Sequence, residues 1–202
     1  MRVPTGIRNL AILRPMGQPS LPSPIRLVVG LLAKETDWMD RARKALLEKF
    51  GEEDASLGPF PFIWTHYYRE ELGDSPLRLL LAYEKPIPRE SVVDIKLWTN
   101  QLELAYANGG LRPVNVDPGY MTLGQFFLAT TKDQRQRVYV RDGIYVEPTL
   151  YYEKGSWQAF PWTYRDWKSD EYRPFFNVAR QRFAYQRSAG KPWRCRSVSS
   201  PD

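Results

Sequence analysis

The stretch PRESVVDIKLWTNQLELAYANGGLRPVNVDPG, residues 88–119, decides the fold of this chain. Val92, Ile95, Thr99, Leu102 and Tyr106 recur at the spacing that puts side chains on one face of an α-helix. Pro88 suits the first helical turn, where its missing N–H is not needed. Asn108-Gly109-Gly110 ends the helix. Beyond it Val114 and Val116 alternate with Asn115 and Asp117, so the period changes from helix to strand.

Working outward, IRLVVGLLA (25–33) predicts a buried strand. TDWMDRARKALLEKF (36–50) predicts a helix with Thr36 as N-cap. It has Trp38, Ala42, Leu46 and Phe50 on one face and Gly51 at its end. Residues 52–60 read as a loop, followed by strands at FPFIWTHYY (60–68) and LRLLLAYEK (77–85). The order β-α-β-β-α-β predicts an α+β fold of the ferredoxin-like split βαβ type. An unrelated α+β sandwich fits the same string less simply.

On the C-terminal side, QRVYVRDGIYVEPTLYYEKGSWQAF (136–160) alternates as antiparallel strands do, with Val138, Val140, Ile144, Val146 and Leu150 expected in the core. Asp142-Gly143 and Lys154-Gly155 are hairpin turn signals. Pro148 cannot donate to a ladder, so its strand is expected at an edge or a bulge. SDEYRPFFNVARQRFAYQ (169–186) closes the fold as a helix starting near Pro174, with Phe176, Ala179 and Phe183 facing inward. The expected organisation is a flexible Pro-rich leader (1–25), one α+β domain (26–187) and a disordered basic tail (188–202).

Composition narrows the function classes. Of 202 residues, 43% are hydrophobic, enough for a core and too many for wholesale disorder. The net charge of +6 suggests nucleic acid until its location is examined. Seven of the 29 basic residues are Arg2, Arg8, Arg14, Arg187, Lys191, Arg194 and Arg196, all in the termini, against one terminal acid, Asp202. The middle of the chain is neutral, so nucleic acid is expected at most as a weak contact of the basic tails. The single cysteine, Cys195, allows no intrachain disulfide and fits a reducing, cytoplasmic setting. No apolar run approaches a membrane span.

RPVNVDPGYMTLGQFFLATTKD, RVYVRDGIYVEPTLYY and FPWTYRDWKSDEYRPFF, with FPFIWTHYYREELG and IKLWTNQLE earlier in the chain, resemble a bacterial family of unknown function, DUF4416. The resemblance is collinear over about residues 25–185. It implies recurring polar positions and no established activity. Gln136 stands where the resemblance implies a histidine, and Pro148 where it implies a β-branched residue. A glutamine there cannot serve as a base.

Candidate site residues follow from residue chemistry. Asp117-Pro118-Gly119 has the composition of a turn, and local chemistry favours that over a carboxylate aimed at a ligand. Arg137 and Tyr139 fall on one face of their strand. Tyr145, Glu147 and Thr149 fall on one face of the next; the turn is expected to bring the two rows together, where Arg137 opposite Glu147 would make a cross-strand ion pair. A solvated sheet face held by ion pairs is one reading. The other is a polar concave face with Glu147 and Asp117 in catalytic roles and with Lys132, Arg137, Tyr139, Tyr145, Thr149 and Trp162 contacting a ligand. Lys96 and Asn100 share a helix face that reads as a solvated flank. One histidine, His66, is too few for a His/Cys zinc site. Asp117, Glu147 and Asp166 carry the oxygens a magnesium ion takes, with no spacing to support one.

TTKD lacks the residue that guanine-reading motifs place between Lys and Asp. SAGKPW lacks the first Gly and the Ser/Thr of a phosphate-cradling loop. No cofactor is indicated. The expected function is binding, or acting on, a small anionic ligand, a nucleotide or other phosphorylated metabolite. The alternative is a non-catalytic module that docks a protein partner through an aromatic surface. The two differ in whether the polar groups converge on one pocket.

Overall fold

In a computed structural model, residues 19–65 and 67–189 are described. Most of the leader, His66 and residues 190–202 with Cys195 lie outside them, whereas Ser188, expected in a disordered tail, ends the last helix. Among the described residues, eight strands form one open antiparallel sheet that carries four helices. The strands are β1 (Arg26–Ala33), β2 (Glu53–Pro61), β3 (Leu77–Tyr83), β4 (Val114–Met121), β5 (Gln125–Thr130), β6 (Val138–Arg141), β7 (Ile144–Glu153) and β8 (Ser156–Ala159). The helices are α1 (Thr36–Phe50), α2 (Arg69–Leu72), α3 (Val92–Tyr106) and α4 (Arg173–Ser188). The sheet order is β2-β3-β1-β4-β5-β7-β6, and β8 also pairs with β7.

Both faces of the central strands are covered. Leu27, Val29 and Leu31 of β1 pack with Met39 and Leu46 of α1 and Ile95 of α3. On the other face Val28 and Leu80 pack with Phe126, Trp157, Trp167 and, from α4, Phe176 and Ala179. A strand buried on both sides gains from every apolar side chain, which is why β1 and β3 read as continuous apolar runs. Arg26 is the exception in β1. It is fully buried, donates to the Ala179 carbonyl oxygen (3.1 Å) and pairs with Asp54, tying α4 to β1 and β2.

Several expectations need correction. Residues 53–61 form β2, where a loop was expected, and the chain from Phe62 to Thr65 is irregular. β2 is an edge strand with register shifts, whose Ala55, Leu57 and Phe60 pack half-buried against the core on the α4 side. Thr36 is the first residue inside α1, after an extended Glu35, and no side chain caps the helix. Val138 and Val140 are exposed because β6 lies at the sheet edge. β5 is absent from the sequence reading altogether. Pro148 sits at an irregularity: Phe126 pairs with Leu150 but Phe127 with Pro148, so Thr149 is the extra residue of a bulge. Both hairpin signals form turns, with Asp142, Gly143, Lys154 and Gly155 all at positive φ.

The largest correction concerns Asp117-Pro118-Gly119, which is not a turn. All three lie in β4, paired with Gly30, Val29 and Val28 of β1. On its other side β4 pairs with β5 only over Gly119–Met121. Val116 shows why. Its N–H donates to Glu103 Oε1 (2.8 Å) and its carbonyl accepts from Lys96 Nζ (3.1 Å), so both groups point away from β1. Residues two apart on a strand point the same way. Pro118 therefore faces β5 with no N–H to donate, and the ladder stops there. Beyond that point the sheet is split, and two side chains of α3 satisfy the backbone that a strand would have paired.

Gly119 makes the last paired stretch. A Cβ there would sit 2.3 Å from the Phe127 carbonyl oxygen and 2.9 Å from the Phe126 ring. Gly119→Ala is therefore expected to destabilise the fold by about 1–3 kcal/mol, the usual cost of overpacking. A urea titration giving an unchanged midpoint would refute this close approach.

Candidate functional site

The open seam creates a cavity of about 690 Å³. Because β4 and β5 diverge, side chains from both faces of the sheet reach it. Lys96 and Asn100 come from α3, and Phe62, Tyr68 and Trp167 from the opposite side. Asn115 and Asp117 of β4 and Leu128 to Lys132 at the end of β5 line its two edges.

Its floor is an ionic cluster over β1. Arg78 of β3 is 2% exposed and donates to Asp166 Oδ2 (2.7 Å). Its Nη1 lies 3.7 Å from Asp117 Oδ2. The guanidinium also sits against the Phe62 ring, 4.8 Å from its centroid, and the Trp167 ring, at 5.6 Å. Gly30 makes room for this. A Cβ on it would stand 3.0 Å from both Arg78 Nη1 and Trp167. Burial alone would lower the Arg78 pKa, but Asp166, Tyr172 and Asp117 outweigh it, so the group stays charged. Asn115 Nδ2 donates to Asp117 Oδ2 (2.8 Å). Burial, with Asp117 nearby, raises the Tyr68 pKa and keeps its hydroxyl a donor at neutral pH.

The α3 wall holds Lys96, 8% exposed, and Glu103, 3% exposed, two helical turns apart. Burial raises the Glu103 pKa, against the pull of Lys96. Arg112 pairs with Glu103 and with Glu71 (2.7 Å), joining this wall to α2. The wall on the far side of the seam is built on Arg137. Its Nε donates to Glu147 Oε2 (2.8 Å), Nη1 to the Lys132 carbonyl oxygen (2.9 Å) and Nη2 to the Tyr164 hydroxyl (3.1 Å). The Arg137 and Glu147 side chains are 3% and 1% exposed, so this pair is buried and not a solvated surface pair. At the mouth, Lys132 Nζ donates to the Tyr67 hydroxyl (3.2 Å).

Four of the expected site residues thus meet: Asp117, Lys132, Arg137 and Glu147 line one cavity. The other four stand elsewhere. Tyr139 and Tyr145 pack edge to face against each other (5.3 Å) away from the lining. Thr149 is buried, its hydroxyl donating to the Glu147 carbonyl oxygen (3.0 Å). Trp162 donates to the Pro148 carbonyl oxygen (2.8 Å) and stacks on Phe160, sealing the edge of β7 between β6 and β8. Lys96 and Asn100, expected on a solvated flank, belong to the lining. Asp117, Glu147 and Asp166 form no cluster of three carboxylates. The described residues contain no group of three or more His, Cys, Asp or Glu able to hold a metal.

Sequence reasoning missed Arg78, Arg112 and the Lys96–Glu103 pair. A signal existed for two of these. Arg78 interrupts an otherwise apolar strand, and Lys96 and Glu103 fall beside the apolar stripe of Val92, Ile95 and Thr99.

Together these features define an α+β protein with an open antiparallel sheet whose central seam is parted around a polar cavity. The chain belongs to the DUF4416 family, described as a domain of unknown function, whose model matches residues 23–183. No curated protein and no solved structure matches it significantly. No helix among the described residues is long and apolar enough to cross a membrane.

Proposed function

We propose that the protein binds, or acts on, a small anionic ligand, a nucleotide or another phosphorylated metabolite, in the cavity at the β4–β5 seam. The observation that carries this reading is the charge of the lining. Arg78, Lys96, Arg112, Lys132, Arg137 and Arg165 line the cavity with three carboxylates, Asp117, Glu147 and Asp166; Glu71 and Glu103, bound to Arg112, bring the nearby acids to five and leave the cations in excess. Arg78, Arg112 and Arg137 are committed to carboxylates. Lys96 spends one donor on Val116, and Arg165 has no partner among the described residues, so both keep donors for an incoming anion. Docking through an aromatic surface would not require cationic groups to converge in this way. In the same spirit, we read the first four strands as a ferredoxin-like unit. The order β2-β3-β1-β4 with antiparallel neighbours supports it.

The test is a thermal-shift series with phosphorylated metabolites. A ligand at 100 times its Kd adds about 2.7 kcal/mol of stability. Lys96→Met keeps the apolar stem and removes the charge. It is expected to weaken binding about tenfold or more, the worth of one charge-assisted hydrogen bond. If no phosphorylated compound shifts the wild-type melting point, the reading fails.

A further inference from the structure

Glu147 holds an unused acceptor. Its Oε2 takes hydrogen bonds from Arg137 Nε (2.8 Å) and Gln136 Nε2 (3.0 Å), while Oε1 is buried and accepts none. The side chain lines the cavity and is 1% exposed. Arg137 is itself held by Lys132, Glu147 and Tyr164, so the carboxylate cannot turn without breaking a buried ion pair. A buried carboxylate oxygen left without a donor is costly, and native proteins supply a partner for such atoms.

The cavity also holds more than an inorganic anion needs. Its volume falls in the range that encloses molecules the size of a nucleotide. Six aromatic side chains, Phe62, Trp64, Tyr67, Tyr68, Tyr164 and Trp167, contribute ring surface to its lining. Such rings stack on planar groups.

We infer that the ligand is a nucleoside phosphate: Lys96 and Arg165 take its phosphate, and Glu147 Oε1 accepts an N–H from the edge of its base. This rests on the anionic-ligand reading above and names the second end of that ligand. The carboxylate is fixed for this role because Arg137 and Gln136 hold Oε2, which leaves Oε1 as the one oxygen available.

The test is direct titration of the full chain with inorganic phosphate, ribose 5-phosphate, AMP, GMP, CMP and UMP. At least one nucleotide is expected to bind about tenfold or more tightly than ribose 5-phosphate, the worth of one hydrogen bond to a charged group. In Glu147→Gln the amide oxygen goes to Arg137 and Gln136, and the NH2 group replaces Oε1. The acceptor then becomes a donor, and the ratio of nucleotide to ribose 5-phosphate affinity should fall to about one, since the lost negative charge acts on both phosphates alike. Should this variant not fold, an analogue of the bound nucleotide with every N–H of the donor group replaced by N-methyl is titrated against the wild type. It is expected to lose the same factor. A preference that survives Glu147→Gln or the methylation overturns the inference, as does ribose 5-phosphate binding as tightly as every nucleotide. In those cases anion binding itself still stands. If none of the six compounds binds the wild type, the anionic-ligand reading falls and takes this one with it.

Discussion

Replacing Arg78 with methionine is expected to cost about 3–5 kcal/mol of folding free energy, the usual result of breaking a buried ion pair from one side. Methionine preserves much of the side-chain length and the packing against Phe62 and Trp167. What it removes is the counter-charge of Asp166, which is 5% exposed and bonded to Arg78 at 2.7 Å. Burial pushes the Asp166 carboxyl up and Arg78 pulls it back, so without the arginine the desolvation acts unopposed by that charge. The sign of the pH dependence follows. In the variant the folded-state pKa of Asp166 rises further above its unfolded value. The deficit should therefore be largest well above the carboxylate range and shrink as pH falls and the group protonates. Urea unfolding of Arg78→Met, Asp166→Asn and the double variant measures this. The double variant should recover part of the loss, because it no longer buries an unpaired charge. A single-variant cost below about 1 kcal/mol would contradict a buried, committed pair.

Phe176→Ala is the second large effect expected, about 3–5 kcal/mol for a fully buried aromatic side chain. Phe176 is 1% exposed and stands among Phe126 (4.9 Å between centroids), Trp157 (5.6 Å) and Trp167 (6.2 Å). These rings come from β5, β8 and the loop before α4, so the space left behind cannot close without moving the sheet or α4. The midpoint of denaturant unfolding reads the loss. A cost under about 1.5 kcal/mol would mean that α4 settles onto the sheet and fills the space. Trp167 also covers Gly30 and faces Arg78, so loosening this core should carry through to the cavity floor.

Local chemistry made much of this fold legible. β1, α1, β3, α3 and α4 announce themselves through apolar period, and two Xaa-Gly pairs give their hairpins. Arg137 does pair with Glu147, but the turn alone would set it opposite Pro148; a register shift between Tyr139 and Arg141 moves the pairing by one residue, and nothing in the turn announces it. β2 was hidden because its core-facing apolar residues, Ala55, Leu57 and Phe60, are few, and the register shift at Gly58-Pro59 breaks their alternation. β5 was hidden for a related reason. Its length is short, and its reading depends on knowing that Asp117-Pro118-Gly119 does not turn.

That tripeptide separates what the residues decide by themselves from what the assembled fold decides. The sequence alone determined the α+β class and the order of most elements, because each depends on neighbours a few positions apart. It could not determine whether Pro118 sits in a turn or in a strand, since its local chemistry suits both. Only the tertiary structure placed it facing β5, where a missing N–H ends a ladder and parts the sheet. The same parting drew Lys96 from a solvated flank into a cavity, beside a strand twenty residues away whose open carbonyl it satisfies. A hydrogen bond left unmade in one strand thus decided where a distant lysine goes, and with it where the candidate site lies.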